Sequence, residues 1–204
     1  MADHLAVTVP LSSIERIQIY VNSARRSLPQ IQAETGADYI LNGTLYNTRT
    51  FAPVCHLKVD GTVLCNPDYS VMGYAWDDGP DIFMDSLPDP ARRDYIACTP
   101  LIVSSKPLSK LTYDSGQGGK RGRSVIGIKG DRLSLYCTRD GGSMARTPEA
   151  LRDDLAAAGW DSAVMLDGGG SSSCWFRGNK LISDSDRKIH DYILVFLKKE
   201  ELPM

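Results

Sequence analysis

Short apolar, strand-like runs recur along this 204-residue chain, some alternating with polar positions at a period of two and others continuous, and a helical period appears in only two stretches. Residues 7–21 read as extended, with β-branched Ile14, Ile17, Ile19 and Val21, the last three alternating with polar or aromatic neighbours. Further strand-like runs are Tyr39–Leu41, Arg123–Ile128, Asp131–Thr138, Ala163–Leu166, Lys180–Ile182 and Ile189–Phe196. Val54–Leu64 predicts a hairpin turning at Asp60-Gly61. Tyr95–Val103 predicts a strand broken at Pro100, which points to an edge or a bulge. One helix is predicted over 27–35, with Pro29 in its first turn, Gly36 as its stop, and Leu28, Ile31 and Ala33 as the inward positions. The second runs over 147–158: Thr147 is the N-cap, Pro148 occupies N1, Leu151, Leu155 and Ala158 share a face, and Gly159 ends it. Residues 66–95, with Pro67, Pro80, Pro88 and Pro90 among many aspartates, predict an irregular excursion able to lid a pocket. The expected fold is a single α+β domain over 1–204, with a mixed or largely antiparallel sheet and both helices packed against it.

Composition adds mainly exclusions. The chain is 42% hydrophobic and 24% charged, ordinary for a globular protein. Its net charge of −2 offers no basic field for nucleic acid. The longest apolar run, Tyr192–Leu197, is too short to span a bilayer. Met1-Ala2-Asp3-His4-Leu5-Ala6 has neither a basic nor a long apolar segment, so a cytoplasmic location is expected. A homo-oligomer is compatible with all of this. The five cysteines form no CxxC pair, which argues against a zinc ribbon or a thioredoxin motif. Reduced buried thiols are the default, although Cys55 and Cys65 flank the hairpin and can pair across it. Asp77-Asp78 and Asp81 match a calcium loop only loosely, and neither a metal nor a cofactor is expected.

Candidate chemistry gathers at Ala163–Phe176, where an apolar run enters Asp167, then Gly168-Gly169-Gly170, then Ser171-Ser172-Ser173. Three glycines suit a backbone that takes positive φ or lies close against a ligand, and successive free N–H groups suit anions. A flexible loop between two strands is the plainer reading. Asn42-Gly43 reads as a type I′ turn or, with Tyr46 and Asn47, as part of a sugar pocket. In the glycine-rich stretch 114–122, Lys120 and Arg121 read as a solvated charge run. Arg123, at the mouth of the next strand, can clamp a phosphate. His190 lies in the last strand, where a lone histidine is structural or an acid.

Four blocks in order, Asn42-Gly43-Thr44-Leu45-Tyr46-Asn47, Arg123-Ser124-Val125-Ile126-Gly127, Asp140-Gly141 and Leu166-Asp167-Gly168-Gly169-Gly170-Ser171, resemble the phosphodiester glycosidase family over about residues 38–197. Members typically carry Asn-Gly-Gly-Phe-Phe at the first block, where this chain has Thr44 and Leu45, and an arginine after the second Asp-Gly, where it has Gly142. The resemblance implies hydrolysis of a sugar-1-phosphodiester to a sugar and a phosphomonoester. It implies Asp167, then Asp140, as the carboxylate at the anomeric carbon, with His190 as an acid. Arg123, Ser124, Gly168, Gly169, Gly170, Ser171 and Ser172 would hold the phosphate, and Asn42, Gly43, Tyr46 and Asn47 the sugar. A competing expectation is a protein that sequesters a phosphorylated sugar or an ADP-ribose-like nucleotide in the same pocket without turnover.

Overall fold

The computed structural model describes residues 3–77, 79–86, 91–178, 180–183 and 187–199. Among them every strand pairing is antiparallel. The strands fall into one six-stranded sheet, two five-stranded sheets and a two-stranded ribbon. The six-stranded sheet runs in the order His4–Pro10, Arg132–Thr138, Ser124–Lys129, Ser162–Met165, Thr99–Val103, Lys106–Pro107. One five-stranded sheet, here the terminal sheet, runs Lys180–Ile182, Cys174–Phe176, Tyr39–Asn42, Asp191–Leu197, Ile14–Val21. The other, the capping sheet, runs Thr62–Cys65, Leu57–Val59, Asp94–Ala97, Gly73–Trp76, Ile82–Asp85.

Alternation along the strands explains the layering. Ile126, Val164 and Leu166 of one sheet and Leu41, Ile193 and Val195 of the other turn toward a shared core, joined by Leu57, Tyr74, Trp76 and Ile96 of the capping sheet. The intervening residues face outward and are covered by helices. Val125, Ala163 and Met165 meet Leu151 and Leu155 of α2 (Pro148–Ala157). Ile40, Tyr192 and Leu194 meet Leu28 and Ile31 of α1 (Leu28–Thr35). A period-two strand can serve two apolar layers only when both faces are covered, which is why these strands read as continuous apolar runs.

Both helices start and stop as the sequence dictates, but Ala33 and Ala158, expected on the packed faces, are exposed, Ala158 because it is the C-cap of α2. Thr147 Oγ1 accepts from Ala150 N at 3.2 Å. Ser27 and Gln30 form a capping box, and Gly36 closes α1 at φ 68°. Asp60 and Gly61 both take positive φ, 48° and 78°, as a type I′ hairpin turn requires. The bulge expected near Pro100 falls between Pro100 and Ile102.

Three expectations change. The extended run over 7–21 is two strands in different sheets, separated by a single 3-10 turn at Leu11–Ser13 directly after Pro10. Residues 66–95 are not an irregular excursion: Gly73–Trp76 and Ile82–Asp85 lie in the capping sheet, with Tyr74 and Trp76 fully buried. Pro67 and Pro80 flank these strands instead of interrupting them; Pro88, Pro90 and Asp78 of the loose calcium pattern lie outside the described residues. The fold is therefore richer in β-structure than a balanced α+β domain, with two α-helices among the described residues. All five cysteines are thiols, and the near neighbour of Cys55 is Cys98, not only Cys65.

Candidate active site

The strand Ser162–Met165 delivers Asp167 to the seam between the six-stranded and terminal sheets. Its backbone is held there from both sides: Asp167 N donates to Gly43 O at 3.1 Å, and Asn42 Nδ2 donates to Asp167 O at 2.9 Å. The side chain is 8% exposed. Burial is the main reason its carboxyl is pushed up to about 6; the Ser171 hydroxyl, Gly168 N–H and Arg187 pull the other way, and Asp191 adds to the rise. A carboxylate poised this close to neutrality can change charge during a reaction.

The glycine turn after Asp167 is compact, not loose. Gly168 N donates to Asp167 Oδ1 at 2.9 Å and Gly169 N to Gly122 O at 2.9 Å. Gly169 takes φ 60°, and a Cβ on Gly168 would stand 2.8 Å from Gly122 O. Glycine is thus required by the close approach of the 119–122 loop. Of the three glycine amides, Gly170 N–H alone is left without a partner among the described residues. The guanidinium of Arg187 lies over Gly170, and its Nη1 donates to Ser171 Oγ at 3.4 Å. Arg121 approaches Gly169 from the other side, near Asp140, whose Oδ1 accepts from Gly122 N at 2.7 Å.

His190 and Asp191 form a second constellation. His190 Nδ1 and Asp191 Oδ1 are 2.9 Å apart, and Asp191 Oδ2 accepts from Thr44 N at 3.0 Å. The carboxylate, fully buried, fixes the imidazole and leaves Nε2 without a hydrogen-bond partner among the described residues. Tyr46 stacks on His190 with centroids 6.4 Å apart and donates to Lys188 O at 2.6 Å, which pins the 187–190 segment beside Asp167. The same tyrosine lies within reach of Ser171, and its hydroxyl pKa is raised, chiefly by burial.

Other residues singled out in the sequence take structural positions. Arg123 is 1% exposed and donates to the carbonyls of Arg146 (2.8 Å) and Gly119 (2.7 Å), supporting the loop beneath the glycine turn. Asn42 is fully engaged: it donates to Asp167 O, and its Oδ1 accepts from Ser124 Oγ and Ser173 N. Ser172 Oγ is buried against Gly122. Asn47 is exposed and caps its own turn, accepting from Arg49 N and Thr50 N. Asn42-Gly43 is not a hairpin turn: Gly43 is needed because the Asp191 carboxylate occupies the space of a side chain. Asp167, Gly170, Ser171, Tyr46 and His190 are brought together, and Arg187, Arg121 and Asp191 join them. Arg187 and Asp191 carry no sequence signal beyond their nearness to His190, and Arg121 is hidden in a charge run. Among the described residues no group of three or more His, Cys, Asp or Glu is placed to hold a metal ion.

A carboxylate raised toward neutrality, a turn amide without a partner among the described residues and flanked by two arginines, and a carboxylate-backed imidazole thus meet on a three-sheet antiparallel frame. The fold is that of the catalytic domain of zebrafish N-acetylglucosamine-1-phosphodiester alpha-N-acetylglucosaminidase, with a TM-score of 0.71 at 12% identity over 96% of this chain and 84% of that one. A Synechocystis structure described as a hypothetical protein gives a TM-score of 0.70 at 13% identity; this chain covers 59% of it, with 96% of its own length aligned. No curated protein sequence matches. The family model for phosphodiester glycosidases matches residues 21–196, and the chain belongs to that family.

Proposed function

We propose that this protein hydrolyses the glycosidic bond of a sugar-1-phosphodiester, releasing the sugar and a phosphomonoester. Family membership sets the reaction class, and the buried Asp167 carboxyl beside Gly170 N–H and Arg187 is the observation that carries the reading onto these residues. The bond between C1 and the phosphate oxygen breaks with its electron pair going to that oxygen. Water adds to C1. The ionised Asp167 carboxylate faces the oxocarbenium-like carbon and directs the water, whose proton passes to a carboxylate or to solvent. A phosphate is a good leaving group, so acid assistance from His190 Nε2 is a smaller contribution than in ordinary glycosidases. Arg187, Arg121, Gly170 N–H and Ser171 Oγ hold the phosphate.

This division of labour gives a pH profile. Asp167 works ionised, and its pKa is raised to about 6, so kcat/KM climbs as pH rises through about 6 and is lost below it. A profile that instead falls across that range makes Asp167 an acid. Arg187 is exposed and contacts the glycine turn through its guanidinium alone. Arg187→Ala is therefore expected to raise KM roughly 10- to 100-fold, the loss of one charge-assisted phosphate contact, with Tm unchanged. The test of the reading itself is incubation with UDP-N-acetylglucosamine and with N-acetylglucosamine-1-phosphodiesters, followed by quantification of free sugar and phosphomonoester. Ligands returned intact after denaturation would point to sequestration without turnover.

A further inference from the structure

A cavity of about 710 Å³ lies beside the candidate site and belongs to none of its polar groups. Leu45, Val54, Val71, Met72, Pro100 and Leu108 line it together with the Cys55 and Cys98 thiols, and Ser70, Thr99, Lys110, Thr112 and Asp114 supply its polar part. Two chain segments tie it to the catalytic carboxylate. In the first, Gly43 O holds Asp167 N, Thr44 N binds Asp191, Leu45 faces the cavity and Tyr46 faces His190 and Ser171. In the second, Tyr113, Asp114 and Gln117 rim the cavity, Gln117 Nε2 contacts Cys98 Sγ at 3.4 Å, and the same loop then carries Arg121 to Gly169. Asp167 is close enough to Cys55 and Cys98 to disfavour charge on both thiols. The volume is that of a ligand pocket. Most of the lining surface is apolar, and a sugar hydroxyl set against that part would be buried without a partner, which is costly. The apolar part of the cavity therefore suits a portion of the ligand that carries no hydroxyls.

We infer that this cavity seats an apolar substituent of the substrate, an aryl or acyl group attached to the sugar phosphodiester. The inference rests on the glycosidase reading for the identity of the rest of the ligand. An apolar group can be attached at two places: on the phosphate as aglycone, or on the sugar as an N-acyl chain. Calorimetry on the intact protein with methyl, butyl, hexyl and 2-naphthyl phosphate examines the first. Glucosamine 1-phosphate carrying acetyl, butanoyl or hexanoyl chains examines the second. The series whose substituent reaches the cavity is expected to tighten about fourfold per methylene, equivalent to ~0.8 kcal/mol. Leu108→Trp and Met72→Trp, at two apolar lining positions that contribute nothing to the candidate site, are expected to abolish that gain and leave the shortest member of the series unchanged.

A measurement without substitutions stands beside these. Alkylation of Cys55 by iodoacetamide, read by mass spectrometry, slows when 2-naphthyl phosphate or the hexanoyl sugar phosphate is bound and not with inorganic phosphate. Affinity that stays flat along both series, or no binding by any member, together with an unprotected Cys55, overturns the inference. Turnover is scored separately. Hydrolysis with flat series removes the cavity assignment alone, whereas tightening without hydrolysis of any phosphodiester removes the glycosidase reading alone.

Discussion

Asp167→Asn is expected to lower kcat by ~10³-fold or more, because the group at the reacting carbon loses its charge and its ability to take a proton. The same substitution is expected to stabilise the fold at neutral pH. Burial raises the Asp167 pKa from 3.8 to about 6, so ionising it in the folded state works against folding. Two pKa units correspond to roughly 2–3 kcal/mol. The sign follows from the raised value: the wild-type contribution is fully present below about pH 4 and is lost as pH rises through about 6. Denaturation of wild type and variant should therefore coincide near pH 4, diverge between pH 4 and 6, and differ most above pH 7, with the variant the more stable. A variant that is inactive and also unstable at pH 7 would mark Asp167 as structural. Stability given up for a poised charge is the usual mark of a functional group.

Gly43→Ala is expected to cost ~3 kcal/mol or more, the largest single effect on folding foreseen outside the core. A methyl group at this position falls on the Asp191 carboxylate and close to its backbone carbonyl. Asp191 cannot retreat, because it is fully buried, bound to Thr44 N and paired with His190. Overpacking at a rigid site of this kind exceeds the usual range for added methyl groups. Chemical denaturation measures it directly. Gly130→Ala is a suitable control: Gly130 also has positive φ, 59°, but has nothing within 4 Å of a new Cβ, so it should cost only about 1 kcal/mol. Equal losses at the two glycines would remove the packing argument.

These two positions illustrate what the sequence discloses. The strand and glycine turn around Asp167 were legible because a strand, an acid and three glycines are contiguous, and the cap at Thr147 and the turn at Asp60-Gly61 were legible for the same reason: each is a local signal with a local cause. Gly43 was visible as a glycine but not for its reason, since the carboxylate that excludes a side chain there comes from 148 positions further along the chain, at Asp191. Arg123 and Asn42 carry site-like side chains, yet the fold draws both inward to bind carbonyls, a choice made by sheet packing and not by composition. Arg187 and Arg121 are ordinary surface arginines until the chain brings them against the glycine turn. The strands Gly73–Trp76 and Ile82–Asp85 were obscured by the prolines around them, because a proline beside a strand and one within it look alike when pairing is unknown.

The central claim is that bond cleavage occurs on the sugar side of the bridging oxygen, at a carbon facing Asp167. Hydrolysis of an N-acetylglucosamine-1-phosphodiester in H₂¹⁸O, with both products weighed by mass spectrometry, tests it most directly. The label is expected on the anomeric hydroxyl of the released sugar and absent from the phosphomonoester, with label incorporation lost in Asp167→Asn. Label found on the phosphate would show attack at phosphorus and contradict the account.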